Sequence, residues 1–146
     1  MAGNVLEEMY PVTAVVRNSL PIPQQTFNEV RGQYNAPALL SYVKKEKKSR
    51  YAFALTEKDL WSGRLNFVFG QAIPGEAAIL SVSRLEDEHE RFKERVKKEI
   101  IHEMGHVLGL SHCTNQSCVM RFSNSLKEVD RKNATLCEQC RNDLLK

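Results

Sequence analysis

Short apolar runs bounded by turn-forming residues alternate along the chain with two longer segments of helical periodicity. The short runs predict β-strands at residues 12–16, 27–31, 51–55, 65–72 and 77–82. Segment 73–76, Ile-Pro-Gly-Glu, suits a type II turn, so the last two strands should be antiparallel neighbours. Helical spacing over residues 36–47 predicts a helix that Asn35 can cap.

A second, longer helix is predicted from about residue 87 onward. Its apolar positions recur at helical spacing and are Phe92, Val96, Ile100, Met104 and Val107. Gly109 should end this helix, because glycine readily adopts the left-handed conformation that closes many helices. These elements predict an α+β fold, in which a compact mixed β-sheet and a crossover helix precede the long helix.

Length and charge limit the choice of partners. A chain of 146 residues makes one domain, 1–146, which we expect to be a monomer. The net charge of +3 is mild and the basic residues are interspersed with acidic ones, so no nucleic-acid partner is expected. The densest basic cluster, residues 44–48, is explained as the solvated end of the first helix. No apolar run approaches the length of a membrane span, so no membrane association is expected.

Residues 102–112, HEMGHVLGLSH, carry the candidate chemistry. His102 and His106 are four residues apart, so on a helix both imidazoles project from one face towards a single metal ion. A chain reversal at Gly109 would bring His112 back as a third ligand. Three protein ligands leave the fourth tetrahedral position of a catalytic zinc to water, from which Glu103 can accept a proton. The short motif occurs by chance, but the extended signature selects the metzincin class of zinc peptidases.

Four cysteines follow this motif closely: Cys113, Cys118, Cys137 and Cys140. Their spacing allows two disulfides or one thiolate-bound metal. The amino terminus lacks the basic start and apolar core of a secretory signal, so a reducing, cytoplasmic compartment is expected. In that compartment zinc is favoured over disulfides.

The zinc signature followed by these cysteines, with Met120 just after the second, resembles the archaemetzincin family. Segments 32–36 and 65–70 are also similar to that family. The resemblance implies two zinc ions per chain, a catalytic one at the histidines and a structural one at the four cysteines. It also implies that Met120 forms the Met-turn beneath the catalytic zinc. Residues 1–109 would then form an N-terminal subdomain and residues 110–146 a small zinc-stabilised one, with the substrate cleft between them.

Two functions remain open from the residues alone. In the first, the protein is a zinc-dependent peptidase whose peptide or protein substrate is attacked by water that zinc binds and Glu103 deprotonates. In the second, it is a non-catalytic, zinc-stabilised protein-binding module. For the peptidase, residues 77–82 are predicted to offer an exposed strand edge along which substrate lies extended, with Ile79 and Leu80 in contact with it.

Overall fold

The computed structural model describes residues 1–144, which contain five α-helices, one short 3₁₀ helix (Gln24–Thr26) and six strands. The helices are α1 (Ala2–Met9), α2 (Ala36–Glu46), α3 (His89–Val107), α4 (Leu126–Arg131) and α5 (Glu138–Leu144). The strands are β1 (Phe27–Asn28), β2 (Gln33–Asn35), β3 (Ala52–Thr56), β4 (Leu60–Trp61), β5 (Gly70–Ile73) and β6 (Ala77–Ser81). None of the helices in this part of the chain is both long and apolar enough to cross a membrane.

The strands form two small mixed sheets. In the first, β2 is antiparallel to β1 and parallel to β4, whereas in the second β6 is parallel to β3 and antiparallel to β5. The predicted α+β class with mixed strands is therefore confirmed, although the strands are divided between two sheets instead of one.

Several predicted strands are shorter than expected, and one is wrong. Residues 12–16 belong to no strand, because no neighbouring strand pairs with them and most of their side chains stay exposed. The strand predicted at 27–31 shrinks to Phe27–Asn28, and that at 65–72 to Gly70–Ile73. Helices α1 and α4 and the short strands β2 and β4 were not predicted.

The predicted first helix and tight turn are both present. Asn35 caps α2 by accepting a hydrogen bond from the backbone N–H of Ala38 at 2.8 Å. Between β5 and β6, Gly75 has a φ of +77°, and the N–H of Glu76 donates to the carbonyl of Ile73 at 3.0 Å. This closes the turn and makes β5 and β6 antiparallel neighbours, as predicted.

Helix α3 ends in a Schellman motif at Gly109. This glycine has a φ of +101°. The N–H of Leu110 donates to the carbonyl of Gly105 at 2.8 Å, and that of Gly109 donates to the carbonyl of His106 at 3.0 Å. The chain reverses there, and this reversal returns His112 towards the end of the helix.

One hydrophobic core joins the amino-terminal helix, α3 and the cysteine-rich segment. Its buried members include Val5 in α1, Ile100 in α3, and Val119 and Cys140 beyond Gly109. The predicted subdomains 1–109 and 110–146 therefore share one core over residues 1–144. The last two residues of the second predicted subdomain, 145 and 146, lie outside the described part of the chain.

The strand predicted to be a substrate edge is instead the central strand of its sheet. Strand β6 pairs with β3 on one side and β5 on the other, and all five of its residues are buried. Ile79 and Leu80 are 3% and 0% exposed. The prediction that these two residues contact substrate along an exposed edge is therefore wrong, because both edges already hydrogen-bond to neighbouring strands.

Candidate active site

The three predicted histidines converge at the end of α3. A ring nitrogen of each of His102, His106 and His112 lies within 4.8 Å of those of the others. The Nε2 atoms of His102 and His106 are 3.2 Å apart. Two nitrogens bound to one tetrahedral zinc at its usual bond length lie roughly 3.3 Å apart. The histidine cluster therefore has the dimensions of a zinc site.

Backbone carbonyls orient two of these rings. His102 Nδ1 lies 2.8 Å from the carbonyl of Val119, and His106 Nδ1 lies 2.8 Å from the carbonyl of Leu110. An Nδ1–H donor on each ring leaves its Nε2 lone pair directed at the shared centre. Burial lowers the pKa of His102 well below its usual value, and the charge of Lys132 lowers it further. A neutral imidazole is the form that binds metal.

Glu103 lies beside this cluster and is almost completely buried. It is 5% exposed, and its Oε2 atom has no hydrogen-bond partner. Burial raises the pKa of Glu103 well above its usual value, and the nearby Glu99 raises it further. On β5, a Cβ at Gly70 would lie 3.1 Å from the Glu103 side chain, so glycine allows this strand to pack closely against the carboxylate.

Met120 lies beneath the histidine-bearing helix in a tight turn of residues 118–121. The turn closes by a 3.0 Å hydrogen bond from the N–H of Arg121 to the carbonyl of Cys118. Met120 is completely buried, and its thioether fills the space where Gly105 lacks a side chain. The preceding residue, Val119, accepts the hydrogen bond from His102. This turn therefore supports one of the candidate metal ligands directly.

The four cysteines form a second cluster whose Sγ atoms all lie within 4.8 Å of one another. The Cys113–Cys137 and Cys118–Cys140 sulfur pairs are each separated by 3.7 Å. That distance is far above the roughly 2.05 Å of a disulfide, and it agrees with the roughly 3.8 Å between two thiolates on one tetrahedral zinc. Hydrogen bonds, the strongest from the backbone of Cys140 and others from the neighbouring sulfurs, lower the pKa of Cys137 to about 7, whereas burial raises the pKa of Cys118 and of Cys140. Of these three thiols, Cys137 therefore loses its proton most readily.

A cavity of about 260 Å³ opens beside the histidines. Its walls come from α3, from β5 with the segment before it, and from the chain after Met120. Sequence reasoning missed four polar residues that line it: Gln71, Glu99, Ser123 and Asn124. Glu99 precedes Glu103 by one helical turn, a spacing that could have revealed it, whereas Gln71 and Ser123 had no signal in the sequence.

A buried ion pair links α3 to the chain beyond the Met120 turn. Lys132 Nζ lies 2.9 Å from Glu99 Oε2, and both side chains are excluded from solvent. The same ammonium donates a hydrogen bond to the carbonyl of Arg121 at 3.0 Å. Burial raises the pKa of Glu99, against the opposing charge of Lys132. This pair holds the helix and the turn at a fixed separation.

Comparison with known proteins identifies the family. The model of Peptidase family M54 matches residues 6–146, nearly the whole chain. The chain belongs to this family. An archaemetzincin of Nanoarchaeum equitans is 47% identical over 146 residues, which cover 99% of this chain and 82% of that protein.

Solved structures of this M54 family share the fold. The crystal structure of archaemetzincin from Methanopyrus kandleri is 47% identical, with a TM-score of 0.82 over 85% of this chain and 71% of that chain. The crystal structure of archaemetzincin from Archaeoglobus fulgidus, complexed with malonate, is 38% identical, with a TM-score of 0.86 over 97% of this chain and 90% of that chain. This M54 member is therefore a zinc metallopeptidase, and the predicted resemblance is confirmed. Family membership decides against the non-catalytic binding module.

Proposed function

We propose that Glu103 is the general base of peptide hydrolysis, with His102, His106 and His112 as the ligands of the catalytic zinc. The observation that carries this proposal is the position of the Glu103 carboxylate. It is buried on the cavity that the three histidines line, and one of its oxygens lacks a hydrogen-bond partner. An isolated buried carboxylate is costly, so its placement calls for a reactive partner in the cavity.

The proposed roles follow from the chemistry of each group. A zinc ion held by the histidines would supply a Lewis acid that polarises the scissile carbonyl and makes water more acidic. Glu103 accepts the proton of the attacking water and later donates it to the leaving amine. The carboxyl group formed in this way holds the proton between the two transfers.

We propose that the cysteine cluster holds a second zinc, which is structural, so that each chain carries two. Four protein ligands would close this site, whereas three histidines leave a coordination position for the reaction. The sulfur separations of 3.7 Å support this assignment. The site would then stabilise the segment that contains Met120 and α5, without taking part in the chemistry.

We propose that substrate docks along the edge strand β5, and not along β6, which is the central strand of the sheet. In the described sheet β5 pairs with β6 alone, so its other edge can accept a peptide strand. Residues of β5, including Gly70, line the cavity beside the histidines. A peptide added to this edge would pass its backbone over the proposed catalytic centre.

A pair of variants tests the proposed roles. Glu103→Gln should keep zinc bound and lower the rate of peptide cleavage by about 10² to 10⁴, because it removes the base and nearly preserves size. His106→Ala should lose the catalytic zinc as well, because it deletes a ligand. Glu94→Gln changes an exposed carboxylate on the same helix and should behave like the native chain. Near-native cleavage by zinc-loaded Glu103→Gln would disprove the proposed base.

A further inference from the structure

Residues 65–69, which precede β5, form one wall of the cavity beside the histidines. This segment belongs to no helix or strand, and a bridge between Leu60 and Val68 joins it to β4. An irregular segment lacks the ladder of backbone hydrogen bonds that fixes a strand, so side chains from other elements must hold it. The residues that do so determine the shape of this wall.

The buried amide of Gln33 connects the wall to the first sheet. Gln33 is on β2 and is 6% exposed. Its Nε2 donates to the carbonyl of Asn66 at 2.8 Å and to the carboxylate of Asp59 at 2.9 Å. Its Oε1 accepts a hydrogen bond from Nε of Arg31 at 2.9 Å. These contacts use both donors and the acceptor of the amide, which is therefore fixed in orientation.

Asp59 also holds Arg84 against the ring of Phe67. Nε and Nη2 of Arg84 each donate to the Asp59 carboxylate at 2.8 Å, and the guanidinium carbon lies 4.1 Å from the centre of the Phe67 ring. Against the effect of burial, which alone would raise it, hydrogen bonds from Arg84 and Gln33 lower the pKa of Asp59 below its usual value. A guanidinium that is paired through two nitrogens and stacked on a ring has a defined orientation. Arg84 is therefore a support for Phe67.

A second arginine supports the backbone of the same wall. Nη2 of Arg31 donates to the carbonyls of Leu65 and Asn66 at 3.1 and 3.2 Å, and its guanidinium carbon lies 4.8 Å from the centre of the Trp61 ring. Neither Arg31 nor Arg84 lines the cavity, and the same is true of their acceptors Gln33 and Asp59. These polar groups can therefore affect a bound peptide only through the wall that they hold.

The accessible side chains of the wall and of the opposing chain after Met120 are apolar. Leu65 is 42% exposed, Phe122 is 40% exposed, and Phe67 is partly buried. The ring of Phe122 lies 5.2 Å from that of His112, so this apolar surface reaches the proposed zinc ligands. Exposed apolar side chains collected in a concave surface are typical of a ligand site. An apolar substrate side chain would leave water there without losing hydrogen bonds.

We propose that Phe67 is a specificity-determining residue that contacts a large apolar substrate side chain next to the scissile bond. Asp59 and Arg84 are positioning residues, which act on the substrate by holding this ring in place. Gln33 acts in the same way through the backbone of Asn66. The inference rests on the proposed function, because it names the substrate class of the same site.

A matched peptide series tests the apolar preference. One fluorogenic peptide carries Ala, Leu, Phe, Gln or Lys at each position beside the cut, and mass spectrometry identifies the bond that is cleaved. For the zinc-loaded native protein, kcat/KM should be at least about ten-fold higher for Leu or Phe than for Ala at one position. Phe67→Ala should reduce this ratio several-fold while cleavage of the Ala peptide is maintained.

A double-mutant cycle tests whether Arg84 acts through Phe67. Arg84→Met should lower the preference for Phe over Ala mainly by raising KM for the Phe peptide, with the zinc affinity unchanged. In the Phe67→Ala background, Arg84→Met should have no further effect on the preference, because the ring through which it acts is absent. Asp59→Asn should reproduce the effect of Arg84→Met. Arg64→Met changes an exposed arginine near the wall that does not line the cavity, and it should match the native chain.

Binding provides a second readout that does not depend on turnover. The same peptides are titrated into the zinc-loaded Glu103→Gln variant, alone and combined with Arg84→Met or Asp59→Asn. The dissociation constants should show the native preference in the first case and its loss in the other two. Circular dichroism establishes that each variant is folded, and Asp59→Asn is the milder change if Arg84→Met unfolds the chain.

The outcomes separate this inference from the proposed function. Equal or better use of Ala, Gln or Lys at every position would overturn the apolar selection and leave the peptidase mechanism intact. Additive effects of Arg84→Met and Phe67→Ala, or an equal fall for all peptides, would overturn the positioning role, because general support of the fold does not discriminate between substrate side chains. If Glu103→Gln cleaved at the native rate, the proposed base would fail, and the titrations of Phe against Ala would still decide the specificity.

Discussion

Gly105 and Met120 occupy one space between the histidine-bearing helix and the turn beneath it. A Cβ on Gly105 would lie 2.5 Å from the Met120 sulfur and 3.0 Å from its terminal methyl carbon. It would also lie 3.0 Å from the Tyr10 hydroxyl, which donates a hydrogen bond to the carbonyl of Ile101. The middle of the zinc signature is therefore a packing position as well as a spacer between ligands.

Replacing Gly105 with alanine should displace the Met120 turn. Overpacking of a tight core typically costs about 1–3 kcal/mol, and the displacement should also weaken zinc binding because Val119 orients His102. Calorimetry and competition with a chelator would measure the two effects. Gly3→Ala is the matched control. Gly3 lies in α1, and a Cβ there would meet Ala14 at an ordinary 3.4 Å. Equal stability and zinc affinity in both variants would refute this close packing.

Cys137→Ser and Cys140→Ser should reduce the stability of the fold more directly than the rate of peptide cleavage. Each removes a ligand from a closed site whose metal binding is coupled to folding. A loss of about 3 kcal/mol would lower the Tm of a domain of this size by roughly 6–12 °C. Metal analysis should find one zinc lost and one retained. His106→Ala is the reciprocal case and should lose the zinc of the histidine site.

The four-cysteine site is disproved if both cysteine variants melt like the native protein and keep two zinc ions. Finding these cysteines in disulfides in fully metallated protein would disprove it as well. His89→Ala serves as the control for histidine removal, because His89 is exposed at the start of α3 and lies outside the histidine cluster.

The sequence predicted the parts of this molecule that short-range geometry determines. His102 and His106 lie together because of helical spacing, and Gly109 adopts the positive φ needed to return His112. The Asn35 cap is similarly local. Such features depend on residues a few positions apart, so the sequence pattern is sufficient to reveal them.

Features that depend on distant partners were not predicted. The apolar composition of β6 suits either a central or an edge strand, and its pairing with β3 and β5 decides between them. In the sequence, Lys132 lies just after α4 in a polar segment of the kind that is usually exposed. In the structure its side chain is buried, because it pairs with Glu99 across the core. The lining of the cavity by Gln71 and Ser123 likewise requires the folded chain.

Lys132→Met should be strongly destabilising. It leaves the Glu99 carboxylate buried without its ionic partner, a change that typically costs about 3–5 kcal/mol. It also removes the hydrogen bond to the Arg121 carbonyl. Chemical denaturation would measure the loss, with Lys93→Met on the exposed face of α3 as the control.

A double variant sharpens the test of this ion pair. Adding Glu99→Gln to Lys132→Met removes the isolated charge, so the double variant should recover part of the stability lost by the single change. Additive losses in the two variants would show that the ammonium and carboxylate are not energetically coupled.

Stability at acid pH should depend on Asp130, which joins α4 to α3. Arg95 donates hydrogen bonds of 2.8 Å to each carboxylate oxygen of Asp130. This hydrogen bonding, together with the charge of Arg95, lowers the pKa of Asp130 below its usual value. Because the pKa of Asp130 is lower in the folded state, its ionised carboxylate stabilises the fold. This stabilisation is fully present above the unfolded pKa of about 3.9 and is lost as the pH falls through the folded pKa.

Asp130→Asn should therefore lower the free energy of unfolding at neutral pH and flatten its decline below about pH 4. The Asp130 side chain is 33% exposed, so solvent screening limits the expected loss to about 1 kcal/mol. Denaturant titrations between pH 7 and pH 3 would measure both effects, with Glu29→Gln changing an exposed carboxylate on another surface. If Asp130→Asn followed the pH dependence of the native protein throughout this range, the paired carboxylate would not contribute to acid stability.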